Sequence, residues 1–177
     1  MLLKLISCFW GFVYIFFISL FSRNKFVISL LRSKIELGLR IRITNNGRLH
    51  CKGLTTRGNV SLLVDQGLLE IADGVFINAG SSINCLQSVK IGSNTLLGQN
   101  VQIFDHDHFY QAGVHKNQFV KSSVSIGKRC WIGANAVILK GVHIADDVVV
   151  GAGTIVTKDI ESSGIYVSIK PAIVKIK

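Results

Sequence analysis

Aliphatic residues recur at every sixth position through much of this chain, and that spacing restricts the fold more than any other feature. Ile91, Leu97 and Ile103 keep the step, and Ile126, Ile132, Ile138, Ile144, Val150 and Val156 resume it after an interruption. An earlier trio, Ile71, Ile77 and Ile83, has the same spacing. A second track follows four positions behind: Val75, Ser81, Thr95, Val101, Cys130, Ala136, Val142, Val148 and Thr154, all small or β-branched. A period of six fits neither the 3.6 residues of a helical turn nor plain alternation. It fits a chain that advances by a short strand and a turn, both tracks pointing to one interior, so that stacked coils share a core no single coil could bury. The sequence predicts a parallel β-solenoid. Gly92, Gly98, Gly127, Gly133 and Gly151 each follow an aliphatic, where tolerance of positive φ would serve a turn. Residues 40–70, with strand-like runs at 40–43, 48–52 and 60–64, read as less regular first coils.

The interruption, residues 104–123, has no six-residue step and carries Asp105, His106, Asp107, His108 and His115. A long loop without structure of its own, set inside a regular solenoid, points to function. On an extended strand His106 and His108 would share one face.

Composition matters at the other end. The formal charge is +10, but Lys4, Arg23, Lys25, Arg32, Lys34, Arg40, Arg42, Arg48, Lys52 and Arg57 all precede residue 60, against the single acid Glu36. The remainder is nearly neutral, which argues against a nucleic-acid-binding body. Residues 5–22 (LISCFWGFVYIFFISLFS) carry no charge and are long enough to cross a bilayer core. No small-x-small cleavage site follows, so the run is expected to be a retained anchor rather than a signal peptide. Arg23, Lys25, Arg32 and Lys34 on its far side place the body in the cytoplasm by the positive-inside rule. Residues 26–35 put Phe26, Val27, Leu30, Leu31 and Ile35 on one helical face, suited to lie on headgroups. Expected, then, are a membrane-associated helical segment over 1–38, a solenoid domain over 39–165 with the loop 104–123, and a tail over 166–177. Membrane contact runs through residues 5–35. Cys8, Cys51, Cys85 and Cys130 have neither disulfide-framework nor zinc-ligand spacing.

The strings IGSNTLLGQNV at 91–101 and IGKRCWIGANAVILKGVHIADDVVVGAGTIVTKDI at 126–160, with the histidine loop between them, resemble the hexapeptide-repeat acyltransferases. Among these the chain is most similar to sugar and polysaccharide O-acetyltransferases of the galactoside, maltose, capsule and lipopolysaccharide types. The resemblance implies an all-β, left-handed parallel β-helix, a homotrimer with sites between subunits, acetyl-CoA as co-substrate, no metal, and a glycan or sugar acceptor. With the anchor, it implies a bacterial cytoplasmic membrane protein whose catalytic domain faces the cytoplasm. His108, seven places after Val101, matches the family's catalytic histidine, with His106 as second choice. Asn78 matches an asparagine at the acceptor or reacting centre. Trp131 matches a residue beside the cleft, and Ala134, Gly151, Ala152, Thr157 and Lys158 match the donor site. The chain departs from the family at 168–173, where Ser168, Ile169, Lys170, Pro171, Ala172 and Ile173 replace the usual Ala-Gly-x-Pro-Ala-Lys.

Three alternatives stand beside this. A carbonic anhydrase-like metalloenzyme of the same fold would need a third histidine near His106 and His108, and His50 and His143 lie well apart in sequence. A serine or amino-sugar acetyltransferase would share the fold. A bare assembly platform would need none of the histidines.

Overall fold

The structure, a computed structural model, describes residues 9–11, 13, 26–29, 32–111 and 113–168. Short strands of two to five residues alternate with turns and return every third strand to the same face. Three parallel sheets of six, seven and six strands result, each strand pairing with its counterpart one coil away. The described residues thus form a three-sided solenoid of six coils and the start of a seventh. The first face includes Arg48–Cys51, Leu68–Ile71 and Ser88–Ile91, and the second Leu54–Thr56, Val75–Ile77 and Leu96–Leu97. The third includes Arg40–Thr44, Ser61–Asp65 and Ser82–Cys85.

Both sequence tracks are interior. Ile77, Leu97, Ile132 and Val150 follow one another up the second face in register, and Ile83, Ile103, Ile138 and Val156 up the third. All are buried, as are Ser81, Thr95, Val101, Cys130, Ala136, Val142, Val148 and Thr154 of the second track. The three buried hydroxyls of this track are satisfied by backbone: Ser81 Oγ donates to the Gly98 carbonyl, Thr95 Oγ1 to that of Gly127, and Thr154 Oγ1 accepts from the Ser168 N–H.

The glycines have a different cause from the one expected. Gly92, Gly98, Gly127, Gly133 and Gly151 are not at positive φ. A Cβ on Gly92 would lie 2.5 Å from the Gly127 carbonyl carbon, and one on Gly127 would lie 2.6 Å from that of Ala145. Backbones of successive coils meet there too closely for any side chain. The left-handed corner falls two residues later, on Asn94, Asn100, Arg129, Asn135 and Gly153. Asparagine's short polar side chain makes it the residue other than glycine best suited to that region.

Two further expectations change. Phe26–Ile28 and Lys34–Ile35 are strands of the first coil, paired in parallel with Leu49–Cys51 and Thr55–Thr56, so the described part of 26–35 is not an amphipathic helix; Leu30 and Leu31 lie outside the described residues. Phe26, Val27 and Ile35, which suggested a helical face, belong to strands that begin the solenoid. The interruption also has structure: His106–Tyr110 and Val114–Lys121 form an antiparallel hairpin. Of the apolar run 5–22, residues 9–11 and 13 are helical, and the rest lies outside the described residues, as do 169–177. Among the described residues no helix is long and apolar enough to cross a membrane.

Thr56 occupies an interior position below Ile77, and its hydroxyl has no partner. Thr56→Val removes that unpaired group at constant shape and should raise stability by about 1 kcal/mol. Gly127→Ala should cost about 1–3 kcal/mol by overpacking. Thermal unfolding of the two variants should therefore show midpoint shifts of opposite sign.

Candidate active site

Two clefts lie on different sides of the solenoid: Asn78, Trp131, Ala134, Gly151 and Ala152 line the first and His106 the second, while His108, Thr157 and Lys158 line neither. The first, of about 420 Å³, runs along the second face and its edge with the third. Its floor comes from outward residues stacked in register, Phe76, Leu96, Trp131 and Val149. Leu96 and Trp131 are 45% and 55% exposed, unusual for large apolar groups outside a ligand site or interface. The opposite wall is nearly side-chain-free: Gly98, Gly133, Ala134, Gly151 and Ala152. The hexad pattern that lets coils stack thus also leaves a narrow channel along the edge. Asn78 closes one end. It sits at ordinary φ, and its Oδ1 accepts the Ala79 N–H at 2.9 Å, leaving the side-chain amide as a donor.

Trp131, Ala134, Gly151, Ala152 and Asn78 therefore line one cleft. Thr157 and Lys158 do not line this cleft. They follow Ile155–Val156 at the edge between third and first faces, the edge from which the hairpin also leaves.

The hairpin is anchored by Asp105, which is wholly buried. Its carboxylate accepts backbone N–H bonds from Leu86 (2.8 and 3.1 Å), Gln87 (2.7 Å) and Ser88 (2.8 Å), tying the turn of one coil to the start of the insertion. Oδ1 also lies 2.9 Å from His106 Nδ1. That contact favours the Nδ1–H tautomer and leaves Nε2 as the free ring nitrogen. His106 and His108 share one hairpin face, as two residues of a strand must. Phe119 packs against both rings, at centroid distances of 5.4 and 4.8 Å. Asp107 points the other way along the strand and pairs with Lys140. Sequence reasoning took Asp105 for an orienting or solvated group. Its four backbone bonds make it chiefly a staple, which only the fold reveals because its partners lie 17 to 19 residues away.

His106 lines the second cleft, on the third face, together with Arg42 and Asn84. Neither histidine lines the first. Within one chain the two parts of the candidate site are separate. Cys51 and Cys85 are not nucleophiles, since burial pushes each thiol up to about 12. Among the described residues no three His, Cys, Asp or Glu side chains are grouped to hold a metal.

Comparison with known proteins agrees with the repeat. The family model "Hexapeptide repeat of succinyl-transferase" matches residues 123–158. A putative lipopolysaccharide biosynthesis O-acetyl transferase of Escherichia coli K12 is 31% identical over 146 residues, 75% of this chain and 74% of that protein. The galactoside O-acetyltransferase of the same organism is 37% identical over 93 residues, covering 52% of this chain but only 46% of its own length. A mutant of AntD, an N-acyltransferase from Bacillus cereus, in complex with a dTDP-amino sugar and coenzyme A, has the same fold. It has a TM-score of 0.67 at 16% identity, covering 86% of this chain and 84% of that one. The chain belongs to the hexapeptide-repeat acyltransferases.

Asp105→Ala should leave three part-buried backbone N–H groups without their acceptor and lower stability by about 3 kcal/mol. His106→Ala, which removes a single contact to the same carboxylate, should cost about 1 kcal/mol. Denaturant unfolding of both variants checks the ranking.

Proposed function

We propose that the chain transfers an acetyl group from acetyl-CoA to a hydroxyl of a bacterial surface-glycan precursor or related sugar. The observation that carries this is the channel along the second face. It has one apolar wall centred on Trp131 and one of glycine and alanine, a shape suited to a slender pantetheine arm, with the Asn78 amide at its end. The names of the similar proteins, an O-acetyl transferase of lipopolysaccharide biosynthesis and a galactoside O-acetyltransferase, support the acceptor class.

The reaction needs a base for the acceptor hydroxyl and donors for the tetrahedral oxyanion. His108 is the base: it occupies the family position and projects on the hairpin clear of the third-face cleft. The alkoxide attacks the thioester carbonyl, the Asn78 amide donates to the developing oxyanion, and collapse breaks the C–S bond and expels the coenzyme A thiolate, which takes the proton that His108 had removed from the hydroxyl. His106 is the alternative base, favoured by the Asp105 contact that orients its ring. Because channel and histidines lie apart in one chain, a second copy must bring its hairpin to the first copy's channel. A homotrimer meets that need by repeating one head-to-tail contact around a closed ring. The outward apolar groups Leu96, Trp131, Phe119 and Val120 support burial between copies.

The uncharged run 5–22 with its cationic flank supports a membrane anchor, with the solenoid on the cytoplasmic side where acetyl-CoA is available. A lipid-linked glycan would then be presented beside the site.

Coenzyme A release with a panel of glycan acceptors tests the reading. His108→Ala should lower kcat by about 10²-fold or more with the fold intact. Loss in His106→Ala alone would move the base to His106, and wild-type rates in both variants would overturn the mechanism. Ala134→Trp, which blocks the channel, should abolish coenzyme A release from acetyl-CoA.

A further inference from the structure

The second cleft has contents that the transfer step does not use. It measures about 280 Å³ and draws its walls from four distant stretches: Arg42 and Thr44, Leu63 to Asp65, Asn84 and Leu86, and His106. Parallel register brings them together. Arg42 is opposite Leu63, and Leu63 is opposite Asn84, so Arg42 and Asn84 stand two rungs apart, about 10 Å.

The acidic groups around it are engaged. Asp65 Oδ1 accepts from Thr44 Oγ1 at 3.1 Å and from Asn45 Nδ2 at 2.7 Å. Asp105 is satisfied by backbone N–H groups and His106, and Asp107 pairs with Lys140. Lys121, beside the hairpin base, donates to Gln66 Oε1 at 3.3 Å. Arg42 is exposed and, among the described residues, has no carboxylate partner. Asn84 spends its amide on Ser82 Oγ and keeps its carbonyl oxygen as an acceptor. His106 keeps Nε2. An unclaimed guanidinium fork, an amide oxygen and an imidazole nitrogen around one cleft match a polyol ring bearing an oxyanion, because the fork pairs such a group through two parallel bonds.

We propose that this cleft is an acceptor subsite and that Arg42 selects sugars carrying an oxyanion, the carboxylate of a uronic acid or a phosphate ester. The proposal rests on the transferase reading given above.

The test follows coenzyme A release with methyl glucoside, glucuronate and glucose 6-phosphate, using wild type, Arg42→Gln, and Arg40→Gln as a neighbouring cation outside the cleft. In the wild type at least one anionic acceptor should exceed the neutral one in kcat/KM by about tenfold, the scale of one charge-assisted pair. Arg42→Gln should bring that ratio to about one, as expected when that pair is lost. Arg40→Gln should preserve the ratio. A preference for glucuronate alone identifies the carboxylate, and one for glucose 6-phosphate alone the phosphate. Equal rates on all three in the wild type, or a ratio unchanged by Arg42→Gln, would overturn the proposal. If no acceptor releases coenzyme A, the transferase reading fails separately. Calorimetric titration of wild type and Arg42→Gln with the two anionic sugars then decides the subsite. Affinity about tenfold weaker in the variant supports it, and equal affinity, or no binding to the wild type, overturns it.

Discussion

Hydrogen bonding between successive coils is the interaction on which the rest of this structure depends. Each short strand finds its partners only in the coils on either side, as when Gly92 N–H donates to the Ile126 carbonyl and Gly127 N–H to that of Ile144, both at 2.8 Å. Coils held that closely bury the aliphatic ladder, exclude side chains at the glycine positions, and force a tight corner two residues further on. The hairpin shows how strongly the ladder dominates. Val89 pairs directly with Val124 although the whole insertion separates them in sequence, so the solenoid continues as though the hairpin were absent. Asp105 makes this possible by binding the backbone of the preceding turn with a buried carboxylate, which gives the hairpin a fixed root.

The same geometry sets what the surface can do. Outward residues of stacked strands form rows, and each face takes the character of its row. His50, Glu70, Lys90, Ser125 and His143 give the first face a polar, solvated character. Phe76, Leu96, Trp131, Val149 and Ile165 make the second apolar, and the glycine edge beside them leaves a channel. The histidines leave from a different edge. On the proposed reading, a catalytic centre that needs both is an assembly between copies, and the Arg42 cleft lies on the histidine side of it.

Much of this was legible in the sequence, because an inward position repeated every six residues admits only aliphatic or small groups. Asn78, Trp131, Ala134, Gly151 and Ala152 were marked by the family resemblance and not by the period, which says nothing of what an outward position binds. The glycines were legible as special, but their cause was not: close approach between coils and positive φ call for the same residue. Residues 26–35 misled because their apolar spacing satisfies a helical face as well as a short-stranded coil. The hairpin showed no aliphatic period since it buries little, and the role of Asp105 was hidden because its partners are backbone groups of another coil. The Arg42 cleft had no sequence signature at all, being made by register alone.

The central claim is that the channel of one copy works with the histidines of another, and mixed oligomers test it most directly. A His106→Ala, His108→Ala double variant and an Ala134→Trp variant should each be inactive alone. Unfolded together in equal amounts and refolded, they should recover about a quarter of wild-type coenzyme A release, the fraction of head-to-tail contacts that pair an intact hairpin with an intact channel. No recovery, in mixtures shown to contain hybrid oligomers, would place the whole site within a single chain and contradict the account.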